Sequence, residues 1–255
     1  MKKTQNKRKR WLCLLFLPLL AVFLFSGYKL WNIHTNYREA DQVQQELLVY
    51  KPLSSVPNDT QAQIPADETP PQIIKNTGLI ELQNKYPDVC GWLTVDGTNI
   101  DYVFAQGKTN DTYLRHTLDG KCLVSGTIFM DYRCPVDLDG YAILFGHHMK
   151  NGTMFADLLK FADTDFFKTH TTGAIYLPYA SYPLEIIAYL VVERSDSVVY
   201  NPDADNEEIL AYAKTHARQY RQVNLEENDT LITLSTCNYE FDNARSVLIA
   251  WVIRR

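Results

Sequence analysis

Cysteine is scarce in this chain and is not spaced like a scaffold. Five cysteines, Cys13, Cys90, Cys122, Cys134 and Cys237, stand among 255 residues. They are too scattered for the disulfide frameworks that hold small secreted domains together. Free or buried thiols are the expectation for Cys90, Cys122 and Cys134. Positive charge is short in the body of the chain. Six of the 25 basic residues, Lys2, Lys3, Lys7, Arg8, Lys9 and Arg10, lie in the first ten positions; beyond them 30 acidic residues face 19 basic ones, a net charge of −11. An acidic body argues against nucleic acid as a partner. Carboxylates and histidines do not cluster with metal-ligand spacing, so no metal or other cofactor is expected. No segment repeats, which excludes solenoids and propellers.

What is present is apolar and aromatic. A hydrophobic content of 46% fits a globular protein, and 12% aromatics point to a β-rich one. Trp11 to Tyr28 is an uncharged run of eighteen residues, about 27 Å as a helix and so close to a hydrocarbon core. The basic segment 1–10 before it would keep the N-terminus in the cytoplasm. A cleaved signal peptide has the same basic start, but no small-x-small site follows here; Tyr28, Leu30 and Trp31 come next. The expectation is a single-pass signal anchor over 11–28 in the cell membrane, with the body of the chain extracellular.

Residues 29–72 read as a stalk and linker. The part up to Tyr50 suits a short helix, and prolines at 52, 57, 65, 70 and 71 then break any hydrophobic period. The domain is expected over 73–255. Leu79 to Tyr86 fits a short helix ending before Pro87. Short strands follow at residues 91–95, 100–104, 125–130, 141–145, 174–177, 184–192, 231–237 and 246–253, with turns between them. That number of short strands predicts a closed barrel or a sandwich. Two helical insertions interrupt it, at residues 154–161 and at about 206–220, the second opened by Asp205 and Glu208 in a capping-box arrangement.

The chemistry concentrates in Thr233-Leu234-Ser235-Thr236-Cys237, with Arg245 eight residues on. A cysteine closing an apolar, β-branched run sits where a strand ends and a groove begins, and its thiolate is a nucleophile. The bland alternative is a buried structural thiol. An arginine keeps its proton and can hold a carbonyl or a developing oxyanion. The candidate acid–base group lies ninety residues upstream in Phe145-Gly146-His147-His148-Met149. Brought into one groove, Cys237, His147 and Arg245 would suit acyl transfer on a peptide bond through a thioester.

These segments resemble the sortases, the cysteine transpeptidases of Gram-positive bacteria, and class B most closely. The nucleophile strand with its downstream arginine and the run from Phe145 to Phe155 carry the resemblance. So do Tyr86-Pro87-Asp88-Val89-Cys90-Gly91-Trp92-Leu93, Gly97-Thr98-Asn99-Ile100-Asp101-Tyr102 and Ile128-Phe129-Met130-Asp131-Tyr132-Arg133. It covers about residues 73–255. It implies a mainly β fold, an eight-stranded sortase β-barrel with an N-terminal helix and an inserted helix before the cysteine strand. It implies His147, Cys237 and Arg245 as the catalytic residues, with His147 chosen because it directly follows the glycine. Adjacent residues on a strand face opposite ways, so His148 is not expected to share its role. Asn110, Leu114 and Ser235 are the implied substrate contacts. Asn238 stands where the family often carries an acid.

The implied partners are surface proteins with a C-terminal sorting signal, the amine of a peptidoglycan precursor, and the membrane through the N-terminal anchor. The implied reaction cleaves a C-terminal sorting motif and transfers the surface protein to that amine. A hydrolytic cysteine protease on the same fold and a non-enzymatic membrane-anchored assembly protein remain alternatives.

Overall fold

The computed structural model describes the backbone of residues 2–52, 75–225 and 229–254, and among these the side chains from residue 18 onward. The chain divides into two units, Met1–Val43 and Gln44–Arg255. The first consists of most of helix α1, Lys2–Leu47, which carries Pro18 inside it.

The expected membrane anchor is corrected here. Residues 11–17 of the proposed span lie outside those whose side chains are described. Among the described residues, no helix is long and apolar enough to cross a membrane. The assignment of a single-pass, extracellularly oriented membrane protein is not retained. Of the stalk and linker expected over 29–72, residues 53–72 lie outside the described residues.

The second unit begins with the end of α1 and a 3-10 turn at Leu48–Tyr50. Helix α2, Thr77–Lys85, buries Leu79 and Leu82 against Trp92, Val103, Ala174 and Tyr176. Among the described residues nine strands follow: β1 Val89–Val95, β2 Asp101–Ala105, β3 Ile128–Met130, β4 Ala142–Phe145, β5 Thr172–Leu177, β6 Ala180–Glu193, β7 Gln219–Tyr220, β8 Thr230–Cys237 and β9 Ala244–Val252. They form one sheet in the order β5-β1-β2-β3-β4-β8-β9-β6-β7, and an additional β5–β6 pairing closes eight of them into a barrel. Among the described residues, closure leaves only the two-residue β7 as an appended edge on β6.

The expected strands occur, displaced by a residue or a few at their ends. The insertion expected as a helix over 154–161 is a 3-10 helix at Ala156–Ala162. It is followed by α3, Thr164–Thr169, capped by the Asp163 carboxylate. Helix α4, Asn206–His216, starts as its sequence predicts, with the Asp205 side chain accepting from the Glu208 N–H at 2.7 Å. It stops short of Tyr220 because the backbone beyond pairs with β6: Arg218 N donates to the Tyr189 carbonyl and Arg221 N to the Ile187 carbonyl.

The parallel pairing of β4 with β8 positions the site. It sets Ala142 beside Ile232 and Phe145 beside Ser235, joining segments ninety residues apart. Parallel neighbours need a long crossover, and here β5, β6 and α4 occupy it. Strand β8 is buried along its length up to a half-exposed Cys237. This is why it reads as a continuous apolar and β-branched run rather than an alternating one.

Candidate active site

Cys237 ends β8 directly opposite Arg245 on β9. One residue further, Asn238 N donates to the Ala244 carbonyl at 2.9 Å. Pairs alternate along an antiparallel ladder, so Cys237 and Arg245 form a non-hydrogen-bonded pair, the type whose side chains stand closest on one face. The turn joining them is built by Asn238, whose Nδ2 donates to Ser246 Oγ at 2.9 Å and whose Oδ1 accepts from Glu240 N at 2.8 Å. The Arg245 guanidinium lies on this turn, donating from Nη1 to the carbonyls of Ala244 (2.9 Å) and Asn243 (3.4 Å).

On the other side of β8, Gly146 N donates to the Ser235 carbonyl at 3.1 Å, and there the sheet ends. A Cβ on Gly146 would fall 2.5 Å from Ile128 Cδ1 and 2.8 Å from the Phe155 ring, so only glycine fits. The chain then turns into a loop closed by Phe155 N donating to the His147 carbonyl at 3.0 Å. Gly152 adopts a φ of +81° within it. His147 Nε2 lies 2.7 Å from the Leu114 carbonyl. A carbonyl only accepts, so Nε2 carries the hydrogen there and Nδ1 is the nitrogen left for chemistry. The strand alternation expected to part His147 from His148 does not operate, because both lie beyond the end of β4. His148 Nδ1 is 3.3 Å from the carbonyl of Cys237 itself.

The three expected substrate contacts are placed differently from one another. Leu114 is near the site through its carbonyl, and its side chain is exposed. The Asn110 amide is engaged: Nδ2 donates to Asp131 Oδ2 at 3.0 Å and Oδ1 accepts from Tyr132 N at 3.0 Å. Ser235 is buried, with Oγ 2.9 Å from the hydroxyl of Tyr200.

Tyr200 was not expected from the sequence, where it stands in an undistinguished loop before Asn201-Pro202. Its ring stacks on Phe145 at 6.0 Å between centroids. Burial chiefly pushes its hydroxyl up to about 12, with the Ser235 hydrogen bond and the Arg245 charge opposing. The Tyr200 carbonyl accepts from Arg133 Nη2 at 3.2 Å, and Arg133 in turn grips the buried Asp131 carboxylate with Nε at 2.9 Å and Nη2 at 2.8 Å. Burial alone would raise the Asp131 carboxyl. The Arg133 and Asn110 hydrogen bonds outweigh it and hold the carboxyl below its ordinary value.

Cys90, Cys122, Cys134 and Cys237 are free thiols. Burial pushes Cys90 up to about 12 and Cys134 up to about 11, so neither is a thiolate at neutral pH. Among the described residues no group of three His, Cys, Asp or Glu side chains is placed to hold a metal ion.

Comparison with known proteins places this architecture. The family model of the sortase domain matches residues 93–252. Sortase B of Listeria monocytogenes is 33% identical over 243 residues, covering 92% of this chain and 93% of the relative. Sortase B of Staphylococcus aureus is 27% identical, covering 97% and 99%. The crystal structure of sortase B from Bacillus anthracis in complex with AAEK1 superposes with a TM-score of 0.68 at 27% identity, covering 87% of this chain and all of that one.

Proposed function

The chain belongs to class B of the sortase family and is a cysteine transpeptidase; from that premise we propose that it cleaves a C-terminal sorting motif of surface proteins and joins them to the amine of a peptidoglycan precursor. Cys237 passes its thiol proton to His147, and its sulfur attacks the carbonyl carbon of a threonine in the motif. The S–C bond forms, and the C–N bond breaks as His147 gives its proton to the departing amine. A thioacyl-enzyme remains. The incoming amine surrenders a proton to His147, attacks the thioester, and expels the Cys237 thiolate. Arg245, across from Cys237 on the same face, donates to the substrate main chain and to the oxyanion.

The observation that carries this reading is the contrast among thiols. Cys237 is half-exposed at a strand end opposite Arg245 in the ladder, whereas Cys90 and Cys134 are buried and held protonated. The loop carrying His147 is pinned beside that strand end by Gly146 and Phe155.

The test incubates the full chain with a panel of sorting peptides, with and without an amine nucleophile, and follows the enzyme and the products by mass. A thioacyl adduct on Cys237 and an amine-linked product are expected. An adduct with Cys237→Ala would overturn the nucleophile assignment. Hydrolysed product that the amine does not displace would mark a protease.

A further inference from the structure

The β4–β8 ladder ends before the nucleophile strand does. Its last main-chain bond runs from Gly146 N to the Ser235 carbonyl. Acceptors on one edge of a strand recur at every second residue, so the next on that edge is the Cys237 carbonyl. It cannot face β9, because Cys237 and Arg245 are a non-hydrogen-bonded pair. No main-chain N–H of β4 meets it either, since the strand ends at Phe145 and the chain turns toward Phe155.

The imidazole of His148 fills that position, with Nδ1 3.3 Å from the Cys237 carbonyl. As the carbonyl can only accept, Nδ1 donates. The ring is held from two directions. It packs on Tyr239 at 5.6 Å between centroids, and the His148 main chain bridges to Met154, whose N–H is anchored on the Tyr102 hydroxyl at 2.9 Å.

We propose that His148 is a positioning residue: its Nδ1–H continues the β4–β8 ladder through a side chain and fixes the main chain that carries Cys237. This rests on the reading of Cys237 as nucleophile. The paired histidines then divide the work, His147 moving protons and His148 holding the strand end.

Two substitutions in the full chain separate hydrogen bonding from packing. His148→Phe keeps a ring against Tyr239 and removes the donor. His148→Asn loses the ring and supplies an Nδ2–H. Single-turnover acylation by a sorting peptide is expected to fall about five- to tenfold in His148→Phe, the kinetic equivalent of one lost hydrogen bond, at unchanged KM. His148→Asn should regain most of the rate. A carbonyl-13C cysteine label gives a readout independent of turnover. The Cys237 signal, identified by its loss in Cys237→Ser, should move in His148→Phe and return toward its wild-type position in His148→Asn. Acylation by His148→Phe within twofold of wild type, Asn failing to restore it, or an unmoved carbonyl signal would each overturn the proposal. A wild-type enzyme that forms no acyl adduct while the carbonyl signal behaves as expected would instead sink the nucleophile assignment and leave the hydrogen bond standing.

Discussion

Replacing Asp131 by Asn tests the buried clamp behind the site. The Asp131 carboxylate accepts four hydrogen bonds: Arg133 N (3.0 Å) and Nε (2.9 Å) on Oδ1, and Arg133 Nη2 (2.8 Å) and Asn110 Nδ2 (3.0 Å) on Oδ2. Asparagine retains one oxygen for the first two and turns an NH2 toward two donors. Asn110 cannot relieve the clash by flipping, because its Oδ1 holds Tyr132 N. Each bond to a charged group is worth about 1.5–3 kcal/mol. The Arg133 side chain is 42% exposed, so water compensates part of its loss and the low end applies. Asp131→Asn should therefore cost about 3 kcal/mol, a fall of about 6–12 °C in Tm for a domain of this size.

The pH dependence gives a second check. The folded-state pKa of Asp131 is lowered. Its contribution is thus fully present above the unfolded value of about 3.9 and is lost as pH falls through the folded value. Urea melts at pH 7 should separate wild type and variant by about 3 kcal/mol, and the gap should narrow below pH 4 as the wild-type carboxyl is protonated. A gap under about 1 kcal/mol at pH 7, or one that widens on acidification, would refute the reasoning.

Four further outcomes are expected. Iodoacetamide on the native protein at pH 7.5 should modify Cys237 and the exposed Cys122, and spare Cys90 and Cys134, as read by peptide mass; denaturation should abolish the difference. Tyr200→Phe should destabilise by about 1 kcal/mol in urea melts by leaving Ser235 Oγ without its partner, and adding Ser235→Ala should cost little more. Gly146→Ala forces a Cβ into Ile128 and Phe155, so a melt should show a loss of about 1–3 kcal/mol with acylation reduced alongside. On the proposed mechanism, Arg245→Ala should lower kcat by about a hundredfold and Arg245→Lys by less, measured with a sorting peptide; an unchanged kcat would remove Arg245 from the oxyanion role.

Local sequence carried a good part of this protein. The short β-branched and aromatic runs marked all eight barrel strands and missed the appended Gln219–Tyr220, because a strand buried on one or both faces needs those residue types whatever its partner. Asp205 and Glu208 announced the start of α4, since capping is settled within four residues. The run Thr233 to Cys237, with Arg245 and Phe145 to Phe155, was enough to indicate the family and its chemistry. Other features depend on which strand lies beside which. Nothing local to Ala142–Phe145 states that it runs parallel to Thr230–Cys237, and that pairing alone brings the His147–His148 loop to the cysteine. Strand alternation does not distinguish the two histidines, because β4 ends at Phe145, two residues before His147. Tyr200, the Asp131–Arg133 clamp and the occupied amide of Asn110 were invisible for the same reason: their partners are 21 to 67 residues away or share a two-residue turn whose setting is non-local. The sequence by itself determined the strands, the nucleophile candidate and the family. The barrel's closure decided which histidine nitrogen meets which carbonyl, because a hydrogen bond depends on positions in space that only the assembled sheet defines.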